Sequence, residues 1–173
     1  MQNLLSWCDE KITYLKSKKV RFENNVPVIP SECIFDGIPK NISTYEHRNS
    51  IPKEFRSESL LSFFISDNVI FNRLHKIETD LQIFKQYGGI CGLDLSPSIY
   101  MLLPRQRMSI LINAVFNCYC AIQGIKVLPN ARLGEMATMS MVSSIPCGSN
   151  IISSNLGCRQ KDLKFYDLSD IEQ

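Results

Sequence analysis

Residues 124–135 read GIKVLPNARLGE. Gly124 closes a periodic apolar stretch, Ile125–Pro129 reads as a short buried strand, and Asn130, Arg132 and Glu135 follow at once. An apolar run without alternation is the pattern of a strand covered on both faces. Its abrupt polar end raises the question of what these three groups do.

The same pattern recurs along the chain. Leu60–Ser66 (LLSFFIS) ends in Asp67, Ile90–Leu95 (ICGLDL) runs through Asp94 into Ser96-Pro97, and Asn150–Ser154 (NIISS) ends near Asn155. Between these runs the apolar spacing changes to threes and fours. Ile70, Leu74, Ile77, Leu81 and Phe84 share one helical face, and Gly88-Gly89 stop that helix. A second helix starts at Pro104, where proline is tolerated, and carries Met108, Leu111, Ile112, Val115, Tyr119 and Ile122 on one face. A short helical piece is expected over Met136–Val142. Strand and helix in alternation imply an α/β fold. Four βα units then build a parallel sheet, either small and open or half of a β/α-barrel.

Two segments precede this core. Residues 3–18 place Leu4, Leu5, Trp7, Cys8, Ile12 and Leu15 near helical spacing, an N-terminal amphipathic helix docked through Trp7. Residues 20–57 carry prolines at 27, 30, 39 and 52 and the turn-rich FDGIP at 35–39, which predicts an irregular arm. The expected organisation is one domain: helix and arm over 1–57, βα core over 58–158, and a polar tail over 159–173.

Ligand sites of parallel sheets lie at the carboxyl ends of the strands. The four strand ends therefore bring Asp67, Asp94 with Ser96, Asn130 with Arg132 and Glu135, and Asn155 to one rim. Asp94 or Glu135 would serve as the catalytic base. Asp67, Ser96, Asn130, Arg132 and Asn155 would bind ligand, Arg132 offering a planar fork to an anion. The carboxylates could also take a divalent cation. The plainer alternative is that Asp67 only caps a helix, whereas no helix starts after Asp94. His47, within TYEHR, could reach the rim from the arm, and His75 reads as a packing or surface histidine.

Composition narrows the classes. Of 173 residues 45% are hydrophobic and 21% charged, with net charge +2, so nothing demands nucleic acid as a partner. The densest basic run, Lys16 to Arg21, reads as a solvated helix end. No window approaches the ~20 apolar residues of a membrane span, and the first residues lack the pattern of a signal peptide, which together predict a cytoplasmic protein. The seven cysteines are scattered without a CxxC pair, the pattern of reduced, mostly buried thiols. Phosphate-loop, dinucleotide, zincin and α/β-hydrolase signatures are all absent.

Several segments together resemble a known family: Ser62–Asp67 (SFFISD), Gly92–Pro97 (GLDLSP), Gly124–Glu135 and Ile145–Cys158 (IPCGSNIISSNLGC), with the arm around Ile38–Ile42 and Thr44–Glu46. They resemble the "domain of unknown function 4417" family, found in bacteria and often on phages and other mobile elements. The resemblance spans about residues 36–158 and implies the strand–helix scaffold in a shortened form, with no reaction to carry over. Two readings follow. In one, the rim binds a small anionic, nucleotide-like ligand. In the other, a phage-type protein in the host cytoplasm inhibits a host defence system, in the manner of an anti-CRISPR protein. A host protein would then be bound through the N-terminal helix and the arm.

Overall fold

The computed structural model of the protein describes residues 4–152. Helix α1 (Leu4–Ser17) buries Trp7, Cys8, Lys11 and Leu15 and packs against the longest helix, α4 (Leu103–Ile122). A hairpin follows, β1 (Phe22–Glu23) with β2 (Val26–Pro27). Asn24 and Asn25 turn it with φ of 49° and 63°. Two consecutive positive φ values define the two-residue turn whose twist matches a hairpin, and asparagine tolerates them.

The core is a four-stranded parallel sheet of β3 (Asn41–Thr44), β4 (Ser59–Ser62), β5 (Gly89–Cys91) and β6 (Val127–Leu128), adjacent in that order. The order never reverses, so the chain winds across the sheet in one direction, the arrangement of a β/α-barrel segment. A doubly wound sheet would contain a switch point. Helices α2 (Asp67–Leu74) and α3 (Ile77–Phe84) connect β4 to β5, and α4 connects β5 to β6.

Register explains the core. Leu61 sits opposite Ile90, and Ile90 opposite Val127. These three are fully buried in the main cluster, with Trp7, Phe63, Phe84 and Phe116. Because side chains alternate across a strand, the neighbouring Leu60, Cys91 and Leu128 face the other way. They form a smaller cluster covered by Phe35 and Ile152. Both faces of the short strands are thus dry, as their unbroken apolar sequence demands. Burial pushes the Cys91 thiol up to about 12 and the Cys8 thiol to about 11. The thiols of the described residues are free, and Cys147 among them is exposed.

Three expectations change. The arm is not wholly irregular, because its Asn41–Thr44 is the first strand of the sheet, paired along its length with β4. Mostly polar, at least partly exposed residues at a sheet edge hid it. The single helix expected to carry Ile70 through Phe84 is two helices. Lys76 leaves the helical region at φ −110°, ψ 13°, and Arg73 and Asp80 pair across the break. The fourth expected strand, Asn150–Ser154, is represented by an isolated parallel bridge from Ile152 to Asn130, and residues from 153 onward lie outside the described residues. The piece expected at Met136–Val142 is a 3-10 stretch, Met136–Ser144. No described helix is long and apolar enough to cross a membrane.

Candidate functional site

Beyond Cys91 the chain of β5 continues extended through Gly92–Leu95, first on β6, where the Gly92 amide donates to the Leu128 carbonyl at 2.8 Å. After that α4 holds it. The Leu93 amide donates to Asn117 Oδ1 at 2.9 Å. Asn113 takes the Leu95 amide and returns a bond to the Leu95 carbonyl, each at 3.0 Å. Asn113 and Asn117 lie one turn apart on one helical face and act as a substitute strand edge. Leu93 and Leu95 are buried in the core, so alternation turns Asp94 between them toward the strand-end rim.

There Asp94, 7% exposed, meets two residues that follow β6. Asn130 Nδ2 donates to Oδ1 at 2.6 Å. Arg132 donates Nε to the same oxygen and Nη2 to Oδ2 at 2.8 Å, a fork-on-carboxylate pair. Asn130 is placed by backbone pairing at Ile152, whose amide donates to the Pro129 carbonyl at 2.8 Å.

Asp67 completes the group. It is the first residue of α2, where Ser66 provides no side-chain cap. Burial and the nearby Asp94 raise its carboxyl above the ordinary range, against the opposing pull of the Ser96 backbone amide and Arg132. The Arg132 fork is thus taken by Asp94, while Asp67 beside it holds its proton more firmly than a free aspartate. The structure brings Asp67, Asp94, Ser96, Asn130 and Arg132 close to one another.

Glu135 is engaged elsewhere. Its amide donates to Gln106 Oε1, and its carboxylate accepts from Gln106 Nε2, both at 2.8 Å. The same Nε2 donates to the Met101 carbonyl. Gln106 is fully buried and ties the loop before α4 to the loop after β6. A Cβ on Gly134 would stand 2.0 Å from Gln106 Oε1 and would force that side chain to move off its bonds. Asn155 lies outside the described residues. Among the described residues no three His, Cys, Asp or Glu side chains are grouped to hold a metal ion. His47 stays in the arm with Thr44, 2.9 Å from its hydroxyl. In the basic run, Lys16 and Lys18 lie over Phe22 and Tyr14, and Arg21 pairs with Glu23.

Sequence reasoning missed Gln106, Asn113 and Asn117. Their signal was available: amide side chains at positions i, i+7 and i+11 on one stripe of a helix whose second half is largely apolar. Asp80 was missed as well; it is 2% exposed and held by Arg73 and by the Tyr45 hydroxyl at 2.8 Å, which is a packing role.

No curated protein and no solved structure matches the chain. One family model does, over residues 23–169. That span takes in the sheet, α4 and every described residue of the rim, and the chain belongs to the family described as Domain of unknown function (DUF4417).

Proposed function

We propose that the protein is a binding module whose working surface is the strand-end rim of Asp67, Asp94, Asn130 and Arg132, and that it takes a small polar ligand rich in hydrogen-bond donors. The occupation of the Arg132 fork by Asp94, with the half-buried Asp67 carboxyl beside the pair, carries this reading. Sequence alone suggested that Arg132 waits for an anion. Its fork is occupied by Asp94, so a phosphate would have to displace a buried carboxylate. Both oxygens of Asp94 accept protein donors, which leaves the half-buried Asp67 as the group for a ligand amine or amide. A nucleotide-like ligand would thus be read at its base rather than at its phosphate.

Thermal stability against a panel of nucleosides, primary amines, sugar phosphates and inorganic phosphate, with and without Mg²⁺, tests this. A compound at about 100 times its dissociation constant stabilises the fold by about 2.7 kcal/mol. Nucleosides or amines should shift the wild type and not Asp67→Asn. A shift with inorganic phosphate alone, lost in Arg132→Ala, would reverse the assignment.

A second reading has its own observation. Ile99, Tyr100 and Leu102 before α4 are 61%, 93% and 81% exposed, and Met136 beyond β6 is 79% exposed. The two loops that carry them are tied through Gln106. Apolar side chains in this number beside one rim suit a protein partner. The apolar face of α1, by contrast, is already packed on the body. If the protein blocks a host defence, these loops make the contact. A plasmid-interference assay should then show protection by the wild type and none by Tyr100→Glu with Leu102→Glu. Equal protection by both would discard the reading.

A further inference from the structure

Beside β6, between α4 and the 3-10 stretch Met136–Ser144, lies a cavity of about 20 Å³, room for one water-sized group. Asn113, Asn117, Asn130 and Ser144 supply its polar lining, and Ile110 and Met141 part of its apolar wall. Asn130 is 6% exposed, and its Oδ1 has no hydrogen-bond partner. Rotating the amide does not help, because that would set the oxygen against the Asp94 carboxylate that Nδ2 now satisfies at 2.6 Å. Asp94 therefore fixes the amide, and the amide presents an acceptor that requires a donor.

The other buried polar atom without a partner among the described residues, Trp7 Nε1, belongs to a residue of the main apolar cluster. Asn130 differs in lining a cavity that is both polar and roomy enough for a guest. Arg132 also lines it, and that positive charge disfavours an ammonium ion as the guest. We infer that the cavity binds one ordered water, which donates to Asn130 Oδ1 and makes Asn130 a positioning residue for Asp94. The site is independent of which ligand the rim takes.

A crystal structure of the full chain with ordered waters visible should show one water within about 3.2 Å of Asn130 Oδ1. An empty cavity there, or an Asn130 oxygen bonded to a protein donor, would overturn the inference. A second test is the variant Ala114→Val, which adds bulk to the lining at a residue 3% exposed. If the cavity is dry, filling it raises Tm. If it holds the water, expelling the guest strands the acceptor, and Tm falls by roughly 3–6 °C. The Asn130 side-chain amide protons, observed by NMR, should also lose at least about tenfold in exchange protection in this variant. Unchanged protection with a higher Tm would refute the water. Should Ala114→Val fail to fold, the crystallographic observation decides alone.

Discussion

Asp94 and Arg132 stand 38 positions apart in the chain and meet through two parallel hydrogen bonds, Nη2 to Oδ2 at 2.8 Å and Nε to Oδ1. The pair joins the end of β5 to the loop after β6. Removing one partner of a buried pair leaves a charge without compensation. The Arg132 side chain keeps 31% exposure, so the loss falls at the low end of the usual range. Asp94→Ala should cost about 3 kcal/mol in urea unfolding, and Arg132→Ala somewhat more, because the stranded carboxylate is the more deeply buried partner. A loss under about 0.5 kcal/mol for both would show that the pair contributes no more than a surface ion pair.

Gly92 tests how tightly the rim is built. A Cβ there would stand 2.7 Å from the Asn130 amide nitrogen and 2.9 Å from Asn117 Nδ2. Gly92→Ala should therefore destabilise by about 1–3 kcal/mol and lower any ligand response of the rim as Asn130 is pushed away. Gly88→Ala meets backbone at 2.5 Å far from the rim. It should destabilise as well, with a ligand response that is retained once the variant is folded. Equal loss of response in the two variants would contradict the local account.

Gln106 should prove decisive for the two apolar loops. Gln106→Leu removes the bonds to Met101 and Glu135 and leaves the Glu135 amide without its acceptor. The expected cost is about 1–3 kcal/mol, with faster amide exchange at Glu135. Unaltered exchange there would mean that the loops are held by other contacts.

Two carboxyls give opposite pH signatures. The raised Asp67 carboxyl, buried and near Asp94, binds its proton more tightly folded than unfolded. Its stabilising contribution is complete below its unfolded value, near 3.8, and is lost as pH rises through the folded value. Asp67→Asn should therefore gain on the wild type at pH 7 and not at pH 3.5. Glu78 goes the other way. Burial alone would raise it, but hydrogen bonds from Lys11 and Tyr119 outweigh burial and lower it. Its contribution is present above 4.5 and is lost as pH falls through its folded value. Glu78→Gln should show a shallower stability loss on acidification than the wild type. Urea midpoints across pH 3 to 7 measure both effects, and parallel curves for wild type and Asp67→Asn would contradict the first.

The strands of the core were legible in sequence wherever burial on both faces leaves an unbroken apolar run, as at Leu60-Leu61, Ile90-Cys91 and Val127-Leu128. The edge strand Asn41–Thr44 was not, since an edge needs backbone partners on one side only and tolerates exposed polar side chains. Asp94 could be picked out because a lone carboxylate in an extended apolar run has no capping role to fill. Glu135 looked equivalent on paper. Its partner, Gln106, lies 29 residues earlier on a different element, and no local spacing reports such a contact. The break between α2 and α3 was hidden for a related reason: apolar periodicity continues across Lys76, and the tertiary pair of Arg73 with Asp80 bridges the break.

The central claim is that the rim reads hydrogen-bond donors, with Asp67 as the receiving group. The most direct measurement is an amide NMR titration of the wild type with primary amines and nucleosides, and separately with inorganic phosphate. At least one donor compound should move the Asp67, Ser96 and Asn130 resonances saturably, and phosphate should leave them in place. If phosphate moves them together with Arg132 and no donor compound does, the rim is an anion site and the account is wrong.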